Sequence, residues 1–313
     1  DVKKKVLAEL ENKVREDAVL ASNTSSLSID AMASVLKRPR NMIGLHFFNP
    51  VHRMPLVEVV RGKESSPEAV ATGVGMATAM GKTPIVVKDV PGFLVNRILT
   101  PYMIGFMQML RDGGDYQHID RVMEAFGWPM GPAYLNDVVG MDTGKHVFDV
   151  ISRGYSGRMS IGFKTALDVM VENKRFGQKT GLGFYKYEVD PKGRPKRSVT
   201  ADTETLIASV RKGKTTLSDQ DIVERCMLPM IIEAAHCLDE GVGETPGEID
   251  MALIMGLGLP QHVGGALKYA DFLGLAKVVA ACDKHAALGS LFTPTARMRE
   301  LAAKGGKFYA QQF

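Results

Sequence analysis

Two neighbouring apolar stretches decide the fold of the N-terminal part of this 313-residue chain. They are Gly44-Leu45-His46-Phe47-Phe48-Asn49-Pro50-Val51 and Pro55-Leu56-Val57-Glu58-Val59-Val60. Their content of β-branched and aromatic residues predicts a strand from Met42 to Phe47 and a second from Leu56 to Val60. His46 stands at the end of the first strand, and Glu58 is a lone carboxylate on the second. A histidine and a carboxylate on adjacent apolar segments could together form a general base with a tuned imidazole.

The segments around these strands alternate between short strands and helices. Hydrophobic periodicity and capping residues predict a helix over residues 2–16, a strand at Val19-Leu20-Ala21, helices starting at Ser28 and at Ser66-Pro67, and a strand at Pro84-Ile85-Val86-Val87. This alternation predicts an α/β layer with a parallel component. Because the chain contains no Gly-x-Gly-x-x-Gly, the layer is interpreted as an incomplete doubly wound, Rossmann-like domain without its first βαβ unit.

From Phe93 onward, strand patterns largely vanish and an all-α region is predicted, in which a weak internal repeat is present. Five pairs of positions carry the repeat: Arg97-x3-Pro101 and Arg225-x3-Pro229, Leu110-x2-Gly113 and Leu238-x2-Gly241, Ile119-Asp120 and Ile249-Asp250, Trp128-Pro129 and Leu259-Pro260, and Asp137-x2-Gly140 and Asp271-x2-Gly274. The Pro-, Gly- and Lys/Arg-containing stretch 188–197 is interpreted as an exposed linker between the copies. The predicted segments are 1–90 (partial dinucleotide-binding domain), 91–190 (first helical domain) and 191–313 (second helical repeat).

Composition excludes several classes of protein. The chain is 45% hydrophobic and 24% charged, with a net charge of +4, which is ordinary for a globular protein and gives no nucleic-acid footprint. Three cysteines without zinc spacing predict free thiols, a reducing cytoplasmic location and no metal site. No apolar run reaches the length of a transmembrane helix.

Four side chains could carry the chemistry of alcohol oxidation, which needs a base, a hydride acceptor and polar groups that hold the oxygen. The candidates are His46 as the base, Glu58 as its orienting partner, and Ser25 and Asn96 as groups on the substrate oxygen. Each also has a purely structural interpretation. His46 could be a packing residue, Glu58 an edge-strand carboxylate in water, Ser25 a turn cap, and Asn96 an ordinary polar residue on a helix.

Three segments together support the chemical interpretation. They are Ala21-Ser22-Asn23-Thr24-Ser25-Ser26, the stretch from Gly44 to Val51, and Pro91-Gly92-Phe93-Leu94-Val95-Asn96-Arg97. In this order they resemble the L-3-hydroxyacyl-CoA dehydrogenases. The longer string from His46 to Arg61 is most similar to the C-terminal part of the α subunits of bacterial multifunctional fatty-acid oxidation complexes.

The resemblance implies an NAD-dependent 3-hydroxyacyl-CoA dehydrogenase with an acyl-CoA substrate. It implies that His46 is the catalytic base and Glu58 its partner, and that Ser25 and Asn96 contact the substrate. It also assigns contacts with the cofactor to a further set: Lys3, Ser25, Asn49 and Lys179. Met255 stands where the resemblance leads us to expect an aromatic substrate contact.

The resemblance has consequences beyond this chain as well. It implies that the parent protein also carries an enoyl-CoA hydratase/isomerase domain, can assemble with a thiolase β subunit and is a homo-oligomer. Because the chain starts at Asp1 and lacks the glycine-rich turn, we expect it to be the C-terminal portion of a longer protein and to be inactive in isolation. The alternative function is a non-catalytic helical fragment for dimerisation or docking.

Overall fold

The computed structural model describes residues 2–25, 27–190, 193 and 195–309. The strands in this part of the chain are β1 (Leu20–Ser22), β2 (Met42–Phe47), β3 (Leu56–Arg61), β4 (Thr83–Lys88), β5 (Lys186–Val189) and β6 (Pro195–Ser198). The helices are α1 (Val2–Glu11), α2 (Ile29–Ala33), α3 (Pro67–Ala79), α4 (Val95–Asp112), α5 (Tyr116–Phe126), α6 (Pro132–Val139), α7 (Met141–Gly154), α8 (Ser156–Met159), α9 (Ala166–Glu172), α10 (Ala201–Ala208), α11 (Asp219–Asp239), α12 (Pro246–Leu257), α13 (Ala266–Leu273), α14 (Leu275–Lys284) and α15 (Ala296–Lys304). An α/β region is thus followed by a helical region, as predicted.

The chain forms two compact units, each made of separate segments. The first unit contains residues 1–98, 233–274 and 300–313, and the second contains residues 99–232 and 275–299. The three segments predicted from the sequence, with boundaries at 90 and 190, stay a prediction about domain organisation.

The first unit is built on a four-stranded mixed sheet in the order β1-β2-β3-β4. β1 runs parallel to β2, β3 is antiparallel to β2, and β4 is parallel to β3. The predicted strands are confirmed to within about one residue, because short apolar runs with β-branched residues were the signal for each.

Helix α3 covers one face of this sheet. Its start is the predicted one, with the Ser66 hydroxyl accepting a hydrogen bond from the Ala69 N–H and Pro67 in the first turn. The core between α3 and the sheet consists of Ile43, Leu45, Val57, Val59, Ala69 and Ala77. A Cβ on Gly73 would lie 2.5 Å from Ile43 Cδ1, so the absence of a side chain allows α3 to approach the sheet closely.

The opposite face of the sheet contacts α2 and α12. A Cβ on Gly44 would lie 2.9 Å from Ile29 Cδ1 of α2, and one on Gly256 of α12 would lie 2.7 Å from Leu56 Cδ2. Because side chains alternate along a strand, Glu58 projects from the same face as Leu56. The candidate carboxylate is therefore on the face opposite α3.

Helix α1 is shorter than predicted. It ends at Glu11, before the predicted end at residue 16. Of its apolar residues Leu7 is buried, whereas Val2, Val6 and Leu10 are exposed. Periodicity identified the helix, but it did not determine which face is covered.

The internal repeat corresponds to repeated structure around buried aspartates. In the second unit, Asp120 accepts hydrogen bonds from the N–H groups of Ala133 and Tyr134 and from the Tyr185 hydroxyl, at 2.8–3.0 Å. Asp137 accepts from the N–H groups of Phe184 and Tyr185. Each carboxylate therefore joins a helix to a distant segment of its own unit.

The first unit repeats this pattern with the second copy of the motif. Asp250 accepts from the N–H groups of Leu267 and Lys268 and from the Tyr309 hydroxyl, at 2.7–2.9 Å. Asp271 accepts from the N–H groups of Phe308 and Tyr309. The matching acceptors and donors support the repeat inferred from short sequence echoes.

The stretch 188–197, predicted to be an exposed linker, contains regular structure that the sequence did not predict. The described residues on its two sides belong to β5 and β6, which pair antiparallel. Arg197 is bonded to Glu124 at 2.8 Å and lies 4.2 Å above the Tyr134 ring. The Arg197 guanidinium is thus packed against other residues of the unit and not simply solvated. Residues 191, 192 and 194 lie outside the described part of the chain.

Within the described ranges, none of the helices combines the length and the hydrophobicity needed to cross a membrane.

Candidate active site

The pairing of β2 with β3 brings the two predicted catalytic side chains together. His46 and Glu58 are directly opposite partners in the antiparallel register. The imidazole Nδ1 lies 2.7 Å from Glu58 Oε2, within hydrogen-bond distance. His46 is 5% exposed and Glu58 is fully buried. Glu58 is thus an internal carboxylate, and the alternative of an edge-strand residue facing water is wrong.

The second oxygen of Glu58 is held by the start of α4. Oε1 accepts hydrogen bonds from the backbone N–H groups of Leu94, at 3.1 Å, and Val95, at 2.9 Å. The first N–H groups of a helix have no partner inside the helix and lie at the positive end of its dipole. They therefore compensate for burial of a negative charge, which would otherwise be strongly unfavourable.

This arrangement of donors determines which nitrogen of His46 can act as a base. Both backbone groups donate to Oε1, and Oε2 is the carboxylate oxygen that faces His46. An ionised carboxylate in this position favours the tautomer in which His46 Nδ1 carries the proton and donates to Oε2. The lone pair of Nε2 is then available to accept a proton.

Two aromatic rings enclose the imidazole. The ring centroid of Phe48 lies 4.6 Å from that of His46, and the centroid of Phe93 lies 5.7 Å away. Phe93 has φ of +50°, which is unusual for a bulky residue, and it follows Gly92 with φ of +76°. This turn places both the Phe93 ring and the following N–H groups against the His46–Glu58 pair, and unfavourable backbone angles of this kind concentrate at functional sites.

The loop after β1 brings Ser25 near the start of α4. The side-chain amide of Asn96 donates to the carbonyl oxygen of Ser25 at 3.4 Å. Asn23 accepts from the N–H of Phe47 at 3.2 Å, which ties the same loop to the end of β2. Asn96 follows Val95 directly, so the four predicted residues His46, Glu58, Ser25 and Asn96 are connected through one network within the first unit.

Asp89 also positions this loop and was not identified from the sequence. Its Oδ2 accepts from the Ser28 hydroxyl at 2.7 Å and from the Asp30 N–H at 2.8 Å, at the start of α2. The sequence does show a carboxylate just before the Pro91-Gly92-Phe93 turn. It does not show that the hydrogen-bond partners of this carboxylate, Ser28 and Asp30, lie far earlier in the chain.

The predicted cofactor residues occupy different places. Ser25 follows β1 and Asn49 follows β2, and the carboxyl ends of these parallel strands lie at one edge of the sheet, where open α/β sheets bind ligands. Lys3 is exposed on α1. Lys179 belongs to the second unit, where its ammonium pairs with Asp142 at 2.5 Å. The structure therefore brings Ser25 and Asn49 to one edge, whereas Lys3 and Lys179 lie in other surroundings.

One cluster of potential metal ligands is present among the described residues. A carboxylate oxygen each from Asp221 and Glu224 and a ring nitrogen of His285 lie within 4.8 Å of one another. The ammonium of Lys284 contacts Asp221 at 2.8 Å and Glu224 at 2.9 Å, so a cation already neutralises these carboxylates. The cluster is accounted for by ion pairs in the second unit.

Comparison with protein families matches two adjoining segments. Residues 1–90 match the NAD binding domain of 3-hydroxyacyl-CoA dehydrogenase, and residues 92–187 match the C-terminal domain of the same enzyme. The chain is 53% identical over 308 residues to the fatty acid oxidation complex subunit alpha of Pseudomonas aeruginosa, and 51% identical over 311 residues to that of Psychrobacter arcticus. These matches cover 98% and 99% of the chain and 43% of each relative. The chain thus spans less than half the length of these relatives.

Solved structures show the same relationship. A 3-hydroxybutyryl-CoA dehydrogenase from Escherichia coli is 25% identical, with a TM-score of 0.80 over 97% of this chain and 79% of that protein. The dehydrogenase part of multifunctional enzyme 1 from C. elegans is 29% identical, with a TM-score of 0.64 over 96% of this chain and 68% of that protein. Together with the two family matches, these similarities show that the chain belongs to the 3-hydroxyacyl-CoA dehydrogenase family.

Proposed function

We propose that these 313 residues carry the proton-transfer and substrate-orienting groups of an NAD-dependent L-3-hydroxyacyl-CoA dehydrogenase. The observation that carries the proposal is the buried His46–Glu58 pair, with Nδ1 and Oε2 2.7 Å apart and the other Glu58 oxygen bonded to the start of α4. A histidine that served packing alone would not need an ionised partner held by two further donors.

The reaction converts the 3-hydroxyl group of the substrate to a ketone. Nε2 of His46 takes the hydroxyl proton, and Glu58 stabilises the resulting imidazolium through the Nδ1–H bond. Bound NAD supplies the acceptor for the hydrogen that leaves the 3-carbon with its electron pair. Asn96 and Ser25 hold the oxygen while the carbon–oxygen double bond forms. In the opposite direction, His46 returns its proton to the oxygen.

Two of the described residues lie where a dinucleotide would bind. Ser25 and Asn49, at the carboxyl ends of β1 and β2, would hold bound NAD through hydrogen bonds. A pyrophosphate ordinarily rests on a glycine-rich turn at a helix N-terminus, and the sequence contains no Gly-x-Gly-x-x-Gly. We therefore propose that Lys3, Asn49 and Lys179 contribute contacts but do not replace that turn.

The setting of the enzyme is proposed from its relatives and from the sequence. Those relatives are α subunits of a fatty acid oxidation complex, and we propose that this chain also acts in fatty acid oxidation within a larger assembly. A hydratase/isomerase domain in the parent protein, a thiolase β subunit as partner, homo-oligomer formation and a cytoplasmic location belong to the same proposal. The three buried, free thiols suit a reducing compartment.

Substitution of His46 by Gln tests the function directly. The assay measures oxidation of L-3-hydroxybutyryl-CoA by the complete gene product that contains these residues, with NADH absorbance as the readout. Loss of a general base should lower kcat by roughly 10²- to 10⁴-fold.

The matched control is His118→Gln, because His118 forms a surface pair with Asp219 at 2.9 Å. The control should retain full activity. Near wild-type turnover in His46→Gln would refute the assignment and would favour the alternative of a docking fragment.

A further inference from the structure

We propose that Glu233, on helix α11 of the second helical repeat, is a positioning residue for the His46–Glu58 pair and acts through Arg97. This inference rests on the proposed dehydrogenase function. It assigns a role in the candidate active site to the second repeat.

Arg97 is fully buried and is clamped by two carboxylates. Its Nε lies 2.6 Å from Glu233 Oε1, and its Nη1 lies 2.7 Å from Glu240 Oε2. Glu233 is 2% exposed, so its charge and that of Arg97 are both removed from water. Glu233 lies on α11, and Glu240 directly follows its last residue, Asp239, so the two carboxylates reach Arg97 from the C-terminal part of α11 and from the turn after it. A buried charge requires compensation of this kind, and the ion pairs therefore fix the guanidinium in one position.

The backbone around Arg97 connects this clamp to the candidate active site. The N–H of Arg97 donates to the carbonyl oxygen of Gly92 at 3.1 Å, which closes a turn from Gly92 to Arg97 across the start of α4. The same turn supplies the two N–H groups that bond Glu58 and the side chain of Asn96. A displacement of Arg97 would therefore move the N–H groups that hold the Glu58 carboxylate. Because hydrogen bonds weaken steeply with distance and angle, even a small movement would loosen Glu58.

The internal repeat provides an independent comparison. Arg225 is the counterpart of Arg97, and it pairs with Asp112 at 2.5 Å, as Arg97 pairs with Glu240. The repeat position of Glu233, however, is occupied by Gly105 in the first copy. Among the described residues, Arg225 Nε has no hydrogen-bond partner.

The packing around Gly105 leaves no room for a glutamate side chain at this position. A Cβ at position 105 would overlap the carbonyl oxygen of Arg225. Of the two repeated arginines, only Arg97 adjoins the residues that hold Glu58, and it is the one whose Nε is paired with a carboxylate. This asymmetry indicates a task at Arg97 beyond general stability.

The test is Glu233→Gln, which removes the charge but keeps an oxygen that can accept from Arg97. One readout is the ¹⁵N NMR spectrum of the His46 imidazole in the 313-residue chain, recorded across a pH titration. The other is the separation of kcat from KM in the complete gene product. We expect altered His46 tautomer signals and a changed pH profile. We also expect kcat to fall roughly 10- to 10²-fold with little change in KM for the acyl-CoA, since small misplacements in an active site have effects of this size.

The matched control is Asp112→Asn, which breaks the equivalent ion pair of Arg225. It should lower the melting temperature without changing the His46 signals or kcat. If Glu233→Gln behaves in the same way as this control, Glu233 is merely structural and the proposal is overturned.

Two further outcomes are distinguishable. If Glu233→Gln fails to fold, Glu240→Gln removes a partly exposed partner of the same arginine, and unchanged His46 signals in that variant would overturn the proposal. If the wild-type gene product does not oxidise the hydroxyacyl-CoA, the proposed function fails, whereas the NMR comparison still decides whether Glu233 positions His46.

Discussion

Substitution of Glu58 by Gln should separate orientation of the imidazole from burial of a charge. The Gln side-chain oxygen can replace Oε1 as the acceptor for the N–H groups of Leu94 and Val95. Its NH₂ group then faces His46 Nδ1 at the position of Oε2, 2.7 Å away in the native protein. Because NH₂ is a donor, Nδ1 must accept and the proton moves to Nε2, so the nitrogen assigned as the base loses its lone pair.

The expected loss follows from this inversion of the tautomer. Removal of an orienting carboxylate in a comparable histidine–carboxylate arrangement lowers kcat by about 10⁴-fold, and we expect roughly 10³-fold here. This corresponds to an increase of roughly 4 kcal/mol in the activation free energy. Binding of the acyl-CoA should change little, because the fully buried Glu58 cannot reach the substrate.

The assay measures kcat and KM of the complete gene product across a range of pH, with the melting temperature as a check on folding. Glu68→Gln is the control, since this exposed glutamate on α3 pairs weakly with Arg40 at 3.5 Å. A Glu58→Gln variant with an unchanged rate and an unchanged pH profile would show that Glu58 is a bystander, and the reasoning from donor geometry would be refuted.

Two other predictions concern cofactor affinity and stability. The 313-residue chain should bind NADH poorly in a calorimetric titration, because its sequence lacks the glycine-rich turn for the pyrophosphate, and affinity equal to that of a complete dehydrogenase would contradict this. Burial raises the pKa of Asp120 to about 7, so the folded protein should hold a proton there that the unfolded chain has lost above pH ~4. Asp120 should therefore contribute a fall of up to roughly 4 kcal/mol in the free energy of unfolding as the pH rises from about 4 to about 7. Asp120→Asn should make this slope shallower without abolishing it, because burial also raises the pKa values of Asp137 and Asp250 to about 6. Equal stability of the wild-type protein at both ends of this pH range, measured by denaturant titration, would show that the three hydrogen bonds to Asp120 outweigh its burial.

Local patterns were sufficient for the elements of the α/β region. The strand from Met42 to Phe47 and the start of α3 at Ser66-Pro67 were both predicted, because strand propensity and helix capping depend on neighbouring residues. The repeat was also visible in short echoes such as Ile119-Asp120 and Ile249-Asp250. At these matching positions, each aspartate joins a helix to a later segment through backbone N–H groups.

Local patterns failed where an outcome depends on what packs against an element. Hydrophobic periodicity predicted α1, yet Val2 at its start is 76% exposed. The stretch 188–197 contains residues typical of an exposed connection, yet β5 and β6 pair on either side of its tip. Neither the exposure of Val2 nor the pairing of β5 with β6 could be predicted from local composition. Strand pairing and burial depend on contacts with residues distant in the sequence.

The sequence by itself determined which residue types were available for catalysis: a histidine and a carboxylate on adjacent strands, with Ser25 and Asn96 in flanking segments. Only the tertiary structure decided that His46 faces Glu58, because that requires one particular strand register and a shift by one residue would turn the side chains to the other face. It alone also revealed the contact of Arg97 with Glu233, 136 residues away. A buried ion pair forms where packing excludes water around both charges, and this condition is set by the complete fold and not by any local segment.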